Sequence, residues 1–336
     1  MSRPVALALR ALGLGDFLTG LPALALLKQA LPEHDVVLAA PPVFQPLIEL
    51  TSAVDALLPA TELAPLTGLV GATGDGVPVS VAIDLHGKGP ESRRLLAALR
   101  PDALYGFADP AAGLVGPTWR RDEHEVLRWR RLVSESLSVP DTGPGVAGCL
   151  VLPTEARSNG GYRPSTVPAG LTVVHPGAAA GSRRWPASRF AEVAAQLAAE
   201  GQRVVITGGE SERELAGTVA AAAGVAPLVG LGLRELMILI GRARLVVCGD
   251  TGVAHLASNY RTPSVLLFGP VSPASWGPPA DGPHVVLWHG DGTGDPHGAE
   301  PDPALLAIGV DEVVQAVHSL SAIPEEVKSG EGRESR

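Results

Sequence analysis

The feature that most constrains the fold of this chain is a regular alternation of short apolar runs with longer stretches of helical periodicity. The alternation occurs in two series, which are separated by a segment rich in Pro, Gly, Ser and Thr at residues 153–170. Strands separated by helices pair in parallel, because each helix returns the chain to the same end of the sheet. With 336 residues the chain is also long for a single core. We therefore predict an α/β protein in which two doubly wound, parallel-sheet domains face each other across a cleft.

Apolar periodicity and turn residues predict the individual elements. In the first series we predict strands at residues 5–12, 36–39, 79–85 and 104–106, and helices at 17–31, 43–49, 91–99 and 123–137. In the second series we predict strands at 171–175, 203–207, 245–248 and 264–268, and helices at 188–200, 210–223, 233–241, 253–259 and 310–320. Residues 281–302 are predicted to form a long loop. The resulting parts of the chain are an N-terminal domain at 1–155, a linker at 156–170, a C-terminal domain at 171–322 and a flexible tail at 323–336.

One strand-to-helix turn in the second series has the features of an anion site. A predicted strand is followed by Asp250, Thr251 and Gly252, and then by the first turn of a helix. The first N–H groups of a helix have no partner within it, and the helix dipole places a partial positive charge there. Thr251 adds a hydroxyl, and His255 lies one turn further along the same face. This pattern suits a diphosphate; the alternative is an ordinary Asp/Thr helix cap with a buried histidine behind it.

A second candidate site lies near the N-terminus, where the run Gly13-Leu14-Gly15-Asp16 separates the first predicted strand from the first predicted helix. Such a turn places the Asp16 carboxylate at the carboxyl edge of a sheet, where open α/β folds bind their ligands. The two glycines resemble the start of a dinucleotide fingerprint, but its third glycine is replaced by Leu18 and no acidic residue ends a second strand. The local sequence therefore leaves Asp16 as either a helix N-cap or a reacting group.

Composition limits the partners and the compartment. The formal net charge of −9 argues against a nucleic-acid partner, which requires a basic surface. Cys149 and Cys248 lack metal-ligand spacing, and we predict reduced core thiols in a cytoplasmic protein. Arg10 and Asp16 interrupt the apolar N-terminal stretch, so a signal peptide is not predicted. No run reaches the ~18–20 apolar residues of a transmembrane segment, and peripheral contact with the inner face of the cell membrane is left open.

Seven short motifs follow one another between about residues 3 and 320. They are Gly15-Asp16-x-x-Thr19-x-x-Pro22; Ile83-Asp84-Leu85-His86-Gly87 followed by Ser92; Tyr105-Gly106-Phe107; His175-Pro176-Gly177 followed by Arg183-Arg184-Trp185-Pro186; Thr207-Gly208-Gly209-Glu210; Gly249-Asp250-Thr251-Gly252-x-x-His255; and Phe268-Gly269-Pro270 with Trp276-Gly277-Pro278. In this order they resemble glycosyltransferase family nine, the ADP-heptose:lipopolysaccharide heptosyltransferases. The resemblance implies a GT-B fold of two Rossmann-like domains, with the acceptor bound by the N-terminal one and a nucleotide diphosphate sugar, ADP-linked in this family, by the C-terminal one.

The resemblance also implies an inverting transfer without a metal ion or other cofactor, to a cell-surface glycan or a lipid-linked acceptor. Asp16 would remove the proton from the acceptor hydroxyl. The donor-binding residues would be Arg183, Arg184, Glu210, Glu212, Asp250, Thr251, Gly252 and His255. No Asp-x-Asp sequence occurs in the chain, and the helix terminus at Thr251 and Gly252 could stabilise the leaving diphosphate in place of a metal.

Three assignments stay open. Arg183 stands where the heptosyltransferases carry a lysine, so either this residue or its neighbour Arg184 could contact phosphate. Either Glu210 or Glu212 could bind the ribose hydroxyls. In the first half of the chain, Asp84 and His86 could contact the acceptor or serve a structural role. Arg120 and Arg121 could also contact the acceptor, as part of a basic cluster with Arg128, Arg130 and Arg131. The alternative is that this cluster is a solvated helix face.

Two alternative functions remain compatible with the sequence. One is a GT-B nucleotide-sugar epimerase, and the other is a nucleotide-sugar-binding protein without catalysis. A full set of family motifs argues against the first, and the presence of Asp16 argues against the second.

Overall fold

The computed structural model describes residues 3–66, 78–110, 113–141, 145–153 and 167–321. The N-terminal sheet contains β1 (Val5–Leu9), β2 (Asp35–Ala40), β3 (Ala56–Pro59), β4 (Val79–Asp84) and β5 (Ala103–Tyr105), in the spatial order β3-β2-β1-β4-β5. The C-terminal sheet contains β6 (Thr172–His175), β7 (Val204–Gly208), β8 (Ala226–Val229), β9 (Leu245–Gly249), β10 (Ser264–Leu267) and β11 (His284–Leu287), in the order β11-β10-β9-β6-β7-β8. All of these strands pair in parallel, which confirms the predicted pair of doubly wound, Rossmann-like sheets.

The helices lie between these strands and after the last one. In the N-terminal half they are α1 (Leu14–Ala30), α2 (Gln45–Ile48), α3 (Pro90–Ala97) and α4 (Glu125–Leu137). In the C-terminal half they are α5 (Ala187–Ala199), α6 (Arg213–Ala223), α7 (Leu233–Gly241), α8 (Gly252–Tyr260), α9 (Pro273–Trp276), α10 (Pro303–Ala307) and α11 (Val310–Ser321). Among the described residues, no helix combines the length and the apolar character that crossing a membrane requires.

Three strands were not predicted from the sequence, and the predicted loop at 281–302 is wrong because it contains β11. The missed strands β3, β8 and β11 are four residues long and lie at the edges of the two sheets. An edge strand is covered on fewer sides, so its sequence carries a weaker apolar pattern, as the half-exposed residues of β8 and β11 show. Pairing with an inner strand, not local pattern, defines these elements.

The starts of three predicted helices differ clearly from the prediction. The helix predicted at 17–31 begins three residues earlier, because α1 starts at Leu14. The helix predicted at 43–49 is a 3-10 turn at Pro42–Phe44 followed by the short helix α2. The helix predicted at 210–223 begins with a 3-10 turn at Glu210–Glu212. Most of the predicted linker and the predicted tail lie outside the described residues, and the domain boundaries stay predictions.

The two domains share apolar packing at their junction. Helix α1 packs on α8, which in turn packs on α7. A single cluster of buried side chains includes Leu18 and Leu21 of α1, Leu239 of α7 and Leu256 of α8. Because this cluster is continuous across the junction, the ends of α1 and α8 are held in place by core packing.

A buried amide fixes the chain between the two sheets. Asn259, near the end of α8, accepts a hydrogen bond from Leu150 N–H at 3.0 Å and donates one to Leu150 C=O at 3.1 Å. The backbone carbonyl of Asn259 accepts a hydrogen bond from Gly148 N–H at 2.9 Å. Cys149 between them is a half-buried free thiol, whereas Cys248 is fully buried in β9.

We expect Asn259→Ala to destabilise the protein. The substitution leaves the N–H and C=O of Leu150 buried without their partner, and each such group costs about 1–3 kcal/mol. Thermal unfolding should show a lower Tm, whereas Arg261→Ala, which removes an exposed ion pair with Asp281, should change it little. Equal Tm values for the two variants would contradict this account of the junction.

Candidate active site

Helix α1 presents Asp16 at the carboxyl edge of the N-terminal sheet. The N-cap of α1 is Gly13, and Asp16 is the third residue of the helix, so the interpretation of Asp16 as the N-cap itself is wrong. Its carboxylate accepts a hydrogen bond from the Gly13 N–H. Burial raises the pKa of Asp16 above its ordinary value, and the Arg10 guanidinium partly opposes this effect. A carboxyl group with a raised pKa is a stronger base once ionised, which suits proton abstraction.

A buried arginine next to Asp16 is the residue that the sequence analysis missed. The Arg10 side chain is 1% exposed, and its Nη2 lies 3.4 Å from Asp16 Oδ1 and 3.2 Å from Glu125 Oε1. Nη2 also donates to Thr19 Oγ1 at 3.2 Å, and Nη1 donates to the Leu85 carbonyl. The sequence signal for it was a single charge directly after a fully apolar strand, which usually requires a buried partner.

Helix α8 begins at an N-cap residue whose own side chain does not cap the helix. Thr251 is the N-cap residue, but its hydroxyl makes no capping hydrogen bond. Thr251 therefore takes the N-cap position with a buried His255 behind it, as the ordinary-cap alternative predicts, but without the capping hydrogen bond of that alternative. Ala254 N–H, in the third residue of α8, already donates to the Thr251 carbonyl at 3.0 Å, so the N–H groups of Gly252 and Val253 are the donors that the turn leaves for an anion.

A pair of opposite charges borders this helix terminus. Arg183 Nη1 lies 3.7 Å from Asp250 Oδ2. Burial raises the pKa of Asp250, Arg183 opposes the rise, and the nearby charge of Asp16 adds to it. Arg184 instead donates from Nε to the Ala178 carbonyl at 2.8 Å, so its side chain stabilises the loop that contains Ala178. Of the two arginines, Arg183 lies next to the α8 terminus.

His255 connects the two halves of the site. A Cβ added to Gly15 would lie 2.8 Å from His255 Cδ2, so only glycine permits this approach of α1 to α8. The His255 ring makes an edge contact with Trp276, with centroids 5.9 Å apart. Burial lowers the pKa of His255 to about 4, and the charges of His124, Arg183 and Arg10 act in the same direction.

The two helix N-termini meet at the boundary between the domains. A Cβ added to Gly252 would lie 2.9 Å from Leu14 Cβ, so the first turns of α1 and α8 are in contact. Nearby, His124 accepts from Val126 N–H through Nδ1 and donates from Nε2 to the Gly277 carbonyl at 3.1 Å, which ties α4 to the C-terminal domain. Both helix dipoles direct their positive ends toward the same small volume.

The structure distinguishes the two acidic residues after β7. Glu210 is 72% exposed and pairs with Arg213. Glu212 is 18% exposed; its carboxylate accepts from Gly209 N–H at 2.8 Å and lies 3.8 Å from His175 Nε2. A Cβ on Gly177 would collide with this carboxylate, so the glycine makes room for Glu212 at the edge of the sheet.

The predicted acceptor residues fall into different environments. Asp84 is fully buried and accepts from Ser92 Oγ at 2.7 Å and from His86 N–H at 3.1 Å, which favours its structural alternative. His86 accepts from Ala11 N–H through Nδ1 at 3.3 Å and stays half-exposed. Burial lowers the pKa of His86, and Arg10 contributes in the same direction.

Most of the basic cluster is neutralised within the protein. Arg128 pairs with Glu125, Arg130 with Asp141, and Arg131 with Glu123 and Glu135. The interpretation of these three as a solvated helix face is wrong for Arg128, which is buried and donates to three backbone carbonyls. Arg120 and Arg121 have exposed side chains, so their contact with an anionic acceptor stays a prediction.

Within the described ranges, no group of three or more His, Cys, Asp or Glu side chains could hold a metal ion. The absence of a metal requirement remains a prediction.

Comparisons with known proteins agree with the predicted family. The family model described as glycosyltransferase family 9 (heptosyltransferase) matches residues 117–292. Lipopolysaccharide heptosyltransferase 2 of Salmonella typhimurium is 37% identical over 106 residues, which cover 29% of this chain and 30% of that protein. This sequence match therefore spans about a third of the relative's length.

The fold is similar to solved structures over almost the whole chain. The glycosyltransferase family 9 structure from Veillonella parvula has a TM-score of 0.75 at 20% identity and covers 95% of this chain and 98% of that chain. E. coli heptosyltransferase WaaC with ADP has a TM-score of 0.71 at 21% identity, covering 94% and 99%. These likenesses confirm the predicted GT-B arrangement of two Rossmann-like domains.

We expect His255 to remain neutral down to a pH near 4. The unfolded chain protonates its histidines near pH 6.5, whereas burial lowers the pKa of His255 to about 4. Its contribution to stability is therefore complete above about pH 6.5 and is lost as the pH falls toward 4, by about 1.4 kcal/mol per pH unit.

Imidazole ¹⁵N NMR on the full chain tests this expectation, with the His255 signal assigned by its absence in His255→Gln. That variant should also lose less stability than wild type between pH 6.5 and 4. A His255 signal that titrates near pH 6.5 would show that the ring is not isolated from solvent.

Proposed function

The chain belongs to glycosyltransferase family 9, and we propose that it transfers a heptose-like sugar from an ADP-linked donor to a hydroxyl of a cell-envelope glycan or lipid-linked acceptor. One observation carries the proposal. The base candidate Asp16 on α1 and the uncapped N-terminus of α8 come from different domains and meet at one point, where Gly15 contacts His255. E. coli heptosyltransferase WaaC, which has the same fold, was solved with ADP.

The donor diphosphate would bind at the start of α8. Three kinds of donor lie at this position: the first N–H groups of the helix, the Thr251 hydroxyl and the positively charged Arg183 guanidinium. Neutral His255 can accept or donate one hydrogen bond without adding a charge. As the bond to the sugar breaks, negative charge grows on the departing diphosphate, and fixed donors stabilise that charge without reorganising.

The remainder of the nucleotide would lie along the carboxyl edge of the C-terminal sheet. Glu212 is the better candidate for the ribose hydroxyls, because its carboxylate is held over Gly177 beside His175, whereas Glu210 faces solvent with Arg213. A carboxylate at this edge is the group that nucleotide-binding folds use for ribose.

Asp16 would act as the general base. Its ionised carboxylate takes the proton of the acceptor hydroxyl while the oxygen attacks the anomeric carbon from the side opposite the diphosphate. One displacement of this kind inverts the configuration of the sugar carbon. The raised pKa of Asp16 predicts that the rate declines on the acid side at a pH above the ordinary aspartate range, because the protonated carboxyl cannot accept the proton.

The acceptor would approach from the N-terminal domain. His86, with its Nδ1 engaged by Ala11, carries a proton on Nε2 when neutral and can orient a hydroxyl or phosphate. Arg120 and Arg121 are exposed cations that could contact an anionic acceptor. A lipid-linked acceptor would bring the enzyme to the cytoplasmic, inner face of the membrane by peripheral contact.

We expect ADP to raise the Tm of the protein equally with and without EDTA. A ligand at about 100 times its Kd stabilises the folded state by about 2.7 kcal/mol, which a thermal-shift assay resolves. Thr251→Val should weaken ADP binding by about 1.5–3 kcal/mol through loss of a charge-assisted contact. Thr172→Val is the matched control, since Thr172 begins β6 at the opposite edge of the sheet. A strict Mg²⁺ requirement, or equal ADP affinity for both variants, would contradict the donor site.

We expect Asp16→Asn to abolish most transfer without unfolding the protein. The amide oxygen can still accept from Gly13 N–H, so Tm should change little, but the amide is not a useful base and the rate should fall by about 10²–10⁴. ADP affinity should stay nearly constant. Asp311→Asn, an acidic residue in the first turn of α11, is the control and should retain activity.

Product analysis separates the alternatives. An ADP-sugar that is epimerised and not transferred would indicate an epimerase, and ADP binding without turnover would indicate a binding protein. A stable and active Asp16→Asn variant would show that the base is not Asp16; of the two other candidates, Asp84 is fully buried and His86 Nδ1 already accepts from Ala11 N–H.

A further inference from the structure

One buried guanidinium lies between the candidate base and a second carboxylate. Arg10 Nη2 is 3.4 Å from Asp16 Oδ1 and 3.2 Å from Glu125 Oε1. We propose that Arg10 is the positioning residue of Asp16, and that Glu125 limits how strongly Arg10 acts on it. This inference rests on the proposed role of Asp16 as the base.

The contacts of Arg10 leave its guanidinium a single orientation. Nε donates to the backbone carbonyl of Asp16, Nη1 to the carbonyl of Leu85, and Nη2 to Thr19 Oγ1 at 3.2 Å. The guanidinium carbon Cζ lies over the Trp129 ring, 4.7 Å from its centroid. A planar group held on every edge and on one face cannot rotate. Asp16 is therefore positioned through both its backbone and its carboxylate.

Glu125 competes with Asp16 for the same cation. Its Oε1 accepts from Arg10 and from Trp129 Nε1 at 2.7 Å, and its Oε2 accepts from Arg128. Two arginines and two carboxylates make the cluster neutral overall. The negative charge of Glu125 repels ionised Asp16 and so offsets part of the stabilisation that Arg10 gives it. The pKa of Asp16 stays raised by burial and by Glu125, although Arg10 lowers it.

Other charged groups face the same position from the neighbouring elements. Asp250 interacts with Asp16 from the turn before α8, and its own partner is Arg183. His86 after β4 and His255 in α8 are both affected by the Arg10 charge, and burial lowers the pKa of each. Neutral histidines add little to the field at Asp16, so Arg10 is the near cation.

Gly20 of α1 leaves the space that the Arg10 side chain occupies. A Cβ added to Gly20 would lie 2.8 Å from Arg10 Cδ and 3.0 Å from Nε. Glycine is unfavourable inside a helix, and alanine would be better there by about 1 kcal/mol if space allowed it. Gly20→Ala therefore displaces Arg10 from Asp16 without removing its charge, which offers a second way to disturb the contact.

The experiment is a direct titration of the Asp16 carboxyl. The full chain is labelled with [¹³Cγ]aspartate, and the Asp16 signal is assigned by its absence in Asp16→Asn. Arg10→Gln should raise the midpoint of this titration by about 1–3 pH units, because ionised Asp16 loses its near cation. Gly20→Ala should raise it in the same direction. Glu125→Gln should lower it, because the repulsion between Glu125 and ionised Asp16 is removed while Arg10 stays in place.

The matched control is Arg93→Gln. Arg93 is also buried in the N-terminal domain, but it contacts the Phe107 carbonyl and lies 3.8 Å from Asp84. Its loss should lower Tm while the Asp16 midpoint stays unchanged. An unchanged midpoint in Arg10→Gln, or an upward shift in Glu125→Gln, would overturn the proposal. If Arg10→Gln does not fold, Gly20→Ala and Glu125→Gln still decide it.

The pH profile of the transfer rate distinguishes this inference from the proposed function, through the decline of the rate on the acid side, here called the acid limb. When Asp16 is the base, that limb moves in each variant together with the carboxyl midpoint. A midpoint that moves while the limb stays in place would support the Arg10 contact and refute Asp16 as the base. A midpoint that stays in place refutes the Arg10 contact whatever the enzyme transfers.

Discussion

The structure around the candidate site depends on the burial of Arg10. A guanidinium taken out of water costs several kcal/mol unless each of its donors finds an acceptor. The acceptors here come from separate parts of the fold: the first turn of α1, Leu85 directly after β4, and Glu125 at the start of α4. These elements must therefore converge on one point for the N-terminal domain to be stable, and the point on which they converge is the position of Asp16.

The second constraint is the meeting of two helix N-termini. Each carries roughly half a positive charge, so their contact is unfavourable unless anions are present. Asp16 and Asp250 supply some of that negative charge within the protein, and a bound diphosphate would supply more. His255 lies there as a neutral ring, because burial first, and then the nearby positive charges, lower its pKa to about 4. Glycine at positions 15 and 252 allows the close approach, since a Cβ at either would meet the opposite domain.

Several features of the site could be predicted because they are local. A strand followed by Asp250, Thr251 and Gly252 indicates a helix N-terminus, and a glycine-bounded turn places Asp16 at a sheet edge. The choice between Glu210 and Glu212 could not be made locally. Both are acidic residues in the same turn. Only the tertiary structure shows that the loop at Gly177 lies against the carboxylate of Glu212.

The sequence by itself determined the alternation of strands and helices, the division into two parallel sheets and the turns that carry the candidate groups, because each follows from short-range periodicity and backbone preference. Only the tertiary structure decided the edge strands β3, β8 and β11, which depend on pairing with an inner strand. It also decided the partners of Arg10 and Glu125, which are 115 residues apart in the chain. Ion pairs of this range leave no periodic pattern, since what selects them is the cost of leaving a buried charge unpaired.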